Sequence, residues 1–263
     1  MQDILNGQMV DLLMGPNAIL ENLHAGRRAL RRIYVLKGRG GERIREILRL
    51  ADEREIPVSW MERNEIARVC KNDRHQGVAA LTDAQRYFGL EDTLEENKRK
   101  GEVPFFLVLD GVQDSGNVGS LLRTAESAGI DAVIIPEHGS ATLGYGAAKT
   151  SAGALEYVRV IKVPNLVRAI SRLKDDGIWV VGADQDGERI YYDADLLGPL
   201  ALVVGGEGKG LRRLTKEHCD LLVRIPLGGH ISCLNAGVAA GIVIFEVLRQ
   251  RNRKMDSKNE KRA

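Results

Sequence analysis

Cysteine, aromatic side chains and long apolar runs are all scarce in this sequence, and each scarcity narrows what the protein can be. Its 263 residues hold three cysteines, Cys70, Cys219 and Cys233, far apart and odd in number. They form no CxxC pair and no metal-ligand spacing, which excludes a disulfide framework and a cysteine-built zinc site and predicts reduced thiols and no metal. Aromatics make up only 5%, so no stacking platform for nucleic-acid bases stands out. No apolar run approaches the roughly 18–20 residues that cross a bilayer. Met1-Gln2-Asp3-Ile4 lacks the basic and apolar regions of a signal peptide, and the expectation is a cytoplasmic protein without a membrane partner. The phosphate-binding signatures G-x-G-x-x-G and GxxxxGK[ST] are missing as well, which argues against an ordinary dinucleotide or P-loop fold.

What is present is the composition of a globular protein, 44% hydrophobic and 28% charged. The net charge of +2 is too small to point to a nucleic-acid partner by itself. Its distribution says more, because Arg27, Arg28, Arg31 and Arg32 cluster, as do the cations between Arg249 and Arg262. Such clusters line phosphate-binding surfaces or are ordinary solvated faces, and the sequence leaves both readings open.

Two blocks of different texture follow one another. In the first, 8–85, helical spacing over 16–26, 42–53 and 62–70 alternates with short strands at 33–36, 57–60 and 78–81, predicting a small α/β unit. Residues 86–102 are largely polar and are read as a linker. From 103 to 251, six short strands, apolar on both faces, alternate with helices; 252–263 is expected to be a basic, disordered tail. That alternation predicts a parallel sheet covered on both sides, with the ligand site in the loops beyond the strands' carboxyl ends.

Three such loops draw attention. The first, Asp110 to Gly119, leads into a helix that Asn117 or Ser115 can cap and that carries Arg123, a residue suited to holding a phosphate. In the second, Gly205-Gly206-Glu207-Gly208-Lys209-Gly210, four glycines surround one carboxylate, which suits a backbone that approaches a ligand or simply a tight turn. The third runs from Ile225-Pro226-Leu227 through His230 and Ser232-Cys233-Leu234-Asn235 into the last helix.

Taken in order and at these separations, the loops resemble the three motifs of the SpoU–TrmH branch of the SPOUT methyltransferases. The match runs from Phe105 to Arg251. It rests on Asn117-x-Gly119 with Arg123-Thr124-Ala125-Glu126-Ser127-Ala128-Gly129, on Ser151-Ala152-Gly153-Ala154, on Gly205-x-Glu207-Gly208-x-Gly210-Leu211, and on Ile225-Pro226 followed by Leu234-Asn235. In the first block, Gly15-x-x-Ala18-Ile19-x-Glu21-x-Leu23 and His75-Gln76-Gly77-Val78 are similar to the N-terminal RNA-binding domain of the bacterial 23S rRNA guanosine-2′-O-methyltransferases, a small ribosomal-protein-like fold.

The resemblance implies an S-adenosylmethionine-dependent RNA 2′-O-ribose methyltransferase, a homodimer whose C-terminal segments form a deep trefoil knot. By position it implies Gly205, Gly206, Ile225, Leu227 and Leu234 as cofactor-binding residues. Asn117, Arg123, Glu207, Asn235 and Ser232 become catalytic candidates, and Arg27, Arg28, His75 and Gln76 the RNA contacts. An unprotonated Arg123 is a strong demand, since a guanidinium does not deprotonate in proteins. The expected role is to neutralise a phosphate and stabilise the developing alkoxide. Cys233 stands where the family has serine, and is read as a tolerated substitution. Competing readings are the same chemistry on a tRNA or another rRNA nucleotide, and a non-catalytic RNA-binding or ribosome-assembly factor.

Overall fold

The computed structural model describes residues 3–5, 8–141, 143–208, 210–230 and 233–260. It divides into two compact units, Met1–Arg86 with Thr142–Tyr157, and Tyr87–Ala141 with Val158–Ala263.

The first unit contains β1 (Asp3–Leu5), β2 (Gln8–Met14), α1 (Pro16–Ala25), β3 (Leu30–Leu36), α2 (Glu42–Glu53), β4 (Val58–Met61), α3 (Arg63–Cys70) and β5 (Val78–Asp83). Its sheet has the order β1-β2-β5-β3-β4, antiparallel except for the parallel β3–β4 pair. One core joins α1 and α2 to the sheet through Ile19, Leu23, Ile33, Val35, Ile44 and Ile47. The smaller core places Ile66 and Cys70 of α3 with Ala79 of β5. Both faces of the sheet are therefore covered by the helices that the spacing predicts. β1 and β2 have no counterpart among the strands expected from sequence.

Residues 142–157 cluster with this first unit and carry the short helix α6 (Tyr145–Thr150). A buried polar cluster recruits the segment. Arg28 is 6% exposed and grips both oxygens of Glu156, which is 4% exposed, and Asn22 donates to Glu156 at 3.0 Å. Arg28 also reaches Asp11 at 3.1 Å. Gly153 (φ +96°) sits so close to Glu21 that an added Cβ would stand 2.2 Å from its Cγ. The expectation that Arg28 contacts RNA is corrected by this burial: two carboxylates neutralise its charge inside the unit, because a buried guanidinium has to be paired.

The second unit begins with α4 (Leu90–Lys100). It continues with β6 (Phe105–Asp110), α5 (Ser115–Ser127), β7 (Ala132–Pro136), β8 (Val160–Val163), α7 (Leu166–Asp175), β9 (Trp179–Ala183), β10 (Arg189–Ile190), β11 (Leu200–Gly205), α8 (Arg213–His218), β12 (Leu221–Arg224) and α9 (Ala236–Glu260). Seven strands form one parallel sheet in the order β10-β12-β9-β11-β6-β7-β8. β6 and β11 are buried along their whole length, which is why they read as continuous apolar runs rather than alternating ones.

The stretch expected to be a linker is largely helical, as α4. Leu94, Thr93 and Asn97 are its buried face, a stripe too narrow and too polar to show as helical periodicity. Its polar face is held by ion pairs instead: Arg172 to Glu91 at 2.8 Å, Lys98 to Asp176 at 2.8 Å, and Arg159 to Glu96. At the other end, α9 runs through Glu260, so residues 252–260 of the expected disordered tail are helical. Arg251 is anchored rather than free. It donates to Val103 O, Pro104 O and Gly198 O at 2.8–3.1 Å and lies 5.2 Å from the Phe105 ring centroid.

Candidate functional site

β12, β9, β11 and β6 are successive neighbours in the parallel sheet, so the loops that leave β6, β11 and β12 emerge together at the carboxyl edge, where ligands bind in open α/β sheets. Buried Asp110, the last residue of β6, ties the first loop to the second. Its carboxylate accepts from Arg212 N at 2.8 Å and from Arg212 Nε at 2.5 Å. The second loop folds back on itself, with Gly210 N donating to Gly206 O and Gly206 N to Asp110 O, each at 3.1 Å. A Cβ on Gly205 would lie 2.1 Å from the carbonyl carbon of Gly210, and one on Gly206 would lie 2.5 Å from Gly111 O. Backbone therefore meets backbone at both glycines, and no other residue fits without moving a loop.

The three loops meet in one hydrogen-bonded cluster. Asn235 Nδ2 donates to Asn117 Oδ1 at 2.8 Å and to Glu207 Oε1 at 2.5 Å. Its Oδ1 accepts from Gly237 N at 2.9 Å and Val238 N at 3.2 Å. Because backbone N–H groups only donate, the side-chain amide has a single consistent orientation, with Nδ2 facing Asn117 and Glu207. Asn235 thus caps α9 and clamps the other two loops at the same time. Asn117 is a partner in that clamp and not the cap of α5. Asp114 takes that role, its Oδ1 accepting from Asn117 N at 2.7 Å. An aspartate sits well there, since it complements the positive end of the helix dipole.

Arg123 does not join the cluster. It is exposed on α5 and has no hydrogen bond or ion pair among the described residues. Ser232 lies outside the described residues. Cys233 is exposed.

Beside the clamp lies a cavity of about 340 Å³, within the range of small-molecule sites. Gly205, Gly206, Ile225, Leu227 and Leu234 all line it, as do Glu207 and Cys233. Sequence reasoning missed the polar end of this cavity. Asp184, 9% exposed and just past β9, receives Lys216 Nζ at 2.9 Å, and Asp186 lies 3.6 Å from the same ammonium. The hydrogen bond to Asp184 raises the Lys216 pKa above the ordinary lysine value, so the ammonium stays charged. Nothing in the spacing of 184 and 216 links them, and the only signal was the position of Asp184 after an apolar run.

In the first unit, Arg27 is exposed and donates to Tyr157 O at 2.5 Å, and Gln76 is exposed at φ +54°. His75 is 1% exposed, an interior group of this unit. Its Nδ1 accepts from Gly77 N at 3.1 Å, closing the tight turn into β5. Among the described residues there is no group of three or more histidine, cysteine or acidic side chains placed to hold a metal, and no helix long and apolar enough to cross a membrane.

Known proteins match this arrangement over nearly the whole chain. The model of the SpoU rRNA Methylase family matches residues 104–245, and that of the RNA 2′-O ribose methyltransferase substrate-binding domain matches residues 12–88. The 23S rRNA (guanosine-2′-O-)-methyltransferase RlmB of Pseudomonas aeruginosa is 41% identical over 90% of this chain and 95% of its own. Among solved structures, the SpoU methyltransferase AviRb from Streptomyces viridochromogenes, in complex with AdoMet, superposes with a TM-score of 0.78 at 24% identity, covering 93% of this chain and 91% of that one. The TrmH/SpoU tRNA modifying enzyme of A. aeolicus superposes with a TM-score of 0.52 at 25% identity, over 63% of this chain and 85% of its own. With one family model spanning more than half of its length and a relative at 41% identity aligned almost end to end, the chain belongs to the SpoU rRNA Methylase family.

Proposed function

We propose that the protein transfers a methyl group from S-adenosylmethionine to the ribose 2′-hydroxyl of a guanosine in 23S rRNA. The observation that carries this reading is the Asn117–Asn235–Glu207 clamp beside a cavity lined by all five residues expected to hold the cofactor. RlmB of Pseudomonas aeruginosa, a 23S rRNA (guanosine-2′-O-)-methyltransferase aligned over 90% of this chain, supports 23S rRNA as the substrate.

The cavity suits S-adenosylmethionine on chemical grounds. Val204, Ile225, Leu227 and Leu234 offer apolar walls to the adenine and the aliphatic chain. Glu207, Asp184 and Asp186 outnumber Lys216 in its lining, which favours a ligand bearing cationic sulfonium and ammonium groups. When bound, the cofactor supplies an electrophilic methyl group on a sulfur that leaves as a neutral thioether, so orientation is the main demand on the protein.

The chain's own residues meet that demand. Asn235 holds Glu207 and Asn117 in fixed positions, and the exposed carboxylate of Glu207 takes the proton that the ribose hydroxyl loses as the methyl group is transferred, passing it on to water. Arg123, with no ion pair among the described residues, neutralises the neighbouring phosphate and stabilises the forming alkoxide rather than acting as the base, since a guanidinium does not deprotonate in proteins. Ser232, next to Cys233 in the chain, is the hydroxyl proposed to serve in place of the Cys233 thiol. Arg27 and Gln76 contact RNA from the first unit.

The protein works as a cytoplasmic homodimer whose C-terminal segments form a trefoil knot. Val238 and Phe245 support the dimer. They are 52% and 51% exposed and lie seven residues apart on one face of α9, an apolar patch suited to a partner helix. The knot is supported by β12, the last strand in the chain, which hydrogen-bonds between β9 and β10 instead of adding at an edge.

The test is methyl transfer from labelled cofactor to 23S rRNA and tRNA, with 2′-O-methylation mapped in cells that have or lack the protein. Loss of one guanosine mark in 23S rRNA is the expected result. A mark lost only from tRNA would overturn the substrate, and no transfer to any RNA would overturn the activity. Arg123→Lys is expected to lower turnover at least tenfold; near-normal turnover with unchanged RNA affinity would exclude a specific guanidinium role.

A further inference from the structure

The first unit holds a second recess, about 580 Å³, that the methyl-transfer chemistry does not use. Arg39, Arg63 and Lys149 line it. All three are exposed, and none has a hydrogen bond or ion pair among the described residues. Arg74 also lines it, and Asp73 is the one carboxylate that does, so the lining is strongly cationic. Arg39 and Arg63 lining one concavity with no ion pair among the described residues are unusual, because on an ordinary surface such side chains spread into solvent or find carboxylates.

An independent observation comes from His75 in the same lining. Its Nδ1 accepts a hydrogen bond from Gly77 N at 3.1 Å, so Nδ1 carries no proton and the neutral ring is protonated at Nε2. Burial lowers the His75 pKa, with the charge of Arg63 acting in the same direction and Asp73 against it, so the ring is neutral at physiological pH. Nε2 is buried and has no partner among the described residues. A buried donor without an acceptor is costly and calls for one from outside the protein. The turn is also built around Arg39. Gly77, at φ +81°, leaves its Cβ position 3.2 Å from Arg39 Cδ, so any other residue there would push the arginine away.

We propose that this recess is a phosphate-binding site for the RNA backbone, in which Arg39, Arg63 and Lys149 take the oxyanion above the His75 Nε2 donor. The planar guanidinium forks of Arg39 and Arg63 suit a phosphate, and these two arginines and His75 fall within residues 12–88, matched to substrate binding. The choice of RNA rests on the proposed methyl-transfer function; the oxyanion chemistry stands on the recess alone.

The test uses the full-length protein and a labelled RNA hairpin, with binding followed by fluorescence anisotropy over a range of KCl concentrations. Arg39→Gln and Arg63→Gln are each expected to weaken binding several-fold and to reduce the slope of log K against log [salt] by about 0.7–0.9 per lost phosphate contact. Arg45→Gln, at an exposed α2 position outside the recess, is expected to leave the slope unchanged. In parallel, the His75 Nε2–H resonance of the wild type is expected to move when the hairpin is added. A slope no different from that of Arg45→Gln, or a His75 resonance that stays in place, would overturn the proposal. A resonance that moves with inorganic phosphate but not with the hairpin would assign the recess to a free anion and overturn the RNA assignment. Wild-type methyl transfer to 23S rRNA separates the two readings. If transfer occurs while the slopes stay unchanged, only the recess falls; if transfer is absent, the function falls and the binding data still judge the recess.

Discussion

Asn235 concentrates three tasks in one amide: it caps α9, holds Asn117 and holds Glu207. Two substitutions separate these tasks. Asn235→Ala removes the cap and the clamp, with an expected loss of about 0.5–2 kcal/mol in urea unfolding together with a large loss of methyl transfer. Asn235→Asp keeps an acceptor for Gly237 N and Val238 N but cannot donate to Asn117, and it sets a second carboxylate against Glu207. Its stability should lie closer to the wild type while its turnover falls as far as the alanine variant's. Near-normal turnover in Asn235→Asp would mean that the clamp's donated hydrogen bonds are dispensable. At this scale the sequence was informative about which residues matter and silent about how they bond. The Asn117 side chain is taken by Asn235 while Asp114 caps α5, and Arg28 is an interior ion-pair partner of Glu156, because both pairings are made with residues far away in the chain.

Among the elements, α4 shows how polar residues attach a helix whose apolar stripe is thin. Leu94 supplies the buried contact and ion pairs supply the rest. The hydrogen bond from Arg159, followed by that from Lys100, holds the Glu96 carboxyl down at about 2. Its folded-state pKa lies below the unfolded value, so the unfolded chain takes up the proton first. The pair therefore stabilises fully above the ordinary carboxylate pKa of about 4.5 and loses its effect as pH falls through about 2. Glu96→Gln should be less stable than the wild type at pH 7, with the gap closing as the solution is acidified toward pH 2. A gap independent of pH would mean that packing, and not the charge, holds the helix. The spacing of apolar residues could not have found α4, since it registers a buried hydrophobic stripe and not charges that find distant partners.

For the molecule as a whole, ligand binding to the cavity of the second unit is coupled to folding. S-adenosylhomocysteine at about one hundred times its Kd should stabilise the native state by roughly 2.7 kcal/mol. For a domain of this size each kcal/mol raises Tm by about 2–4 °C. NAD at the same concentration should leave Tm unchanged. An equal shift from both ligands would favour a general nucleotide site over a cofactor-specific one. The five cavity residues come from two loops, and Gly205 and Gly206 in one of them lie against neighbouring backbone, so cofactor affinity is a property of the assembled sheet edge.

The parallel sheet, most of its strands, and the three loops that carry chemistry were legible without coordinates. Continuous apolar strands and glycine- or proline-marked turns are local signals, set by burial on both faces and by backbone conformation. Other features exist only once the chain has folded. Residues 142–157 join the first unit, Asp110 and Arg212 tie two loops together, Asp184 and Lys216 form the polar end of the cavity, and His75 lies buried with a donor that has no partner among the described residues. Each of these depends on charges or polar atoms meeting away from their sequence neighbours, where desolvation and pairing, rather than local pattern, fix the outcome.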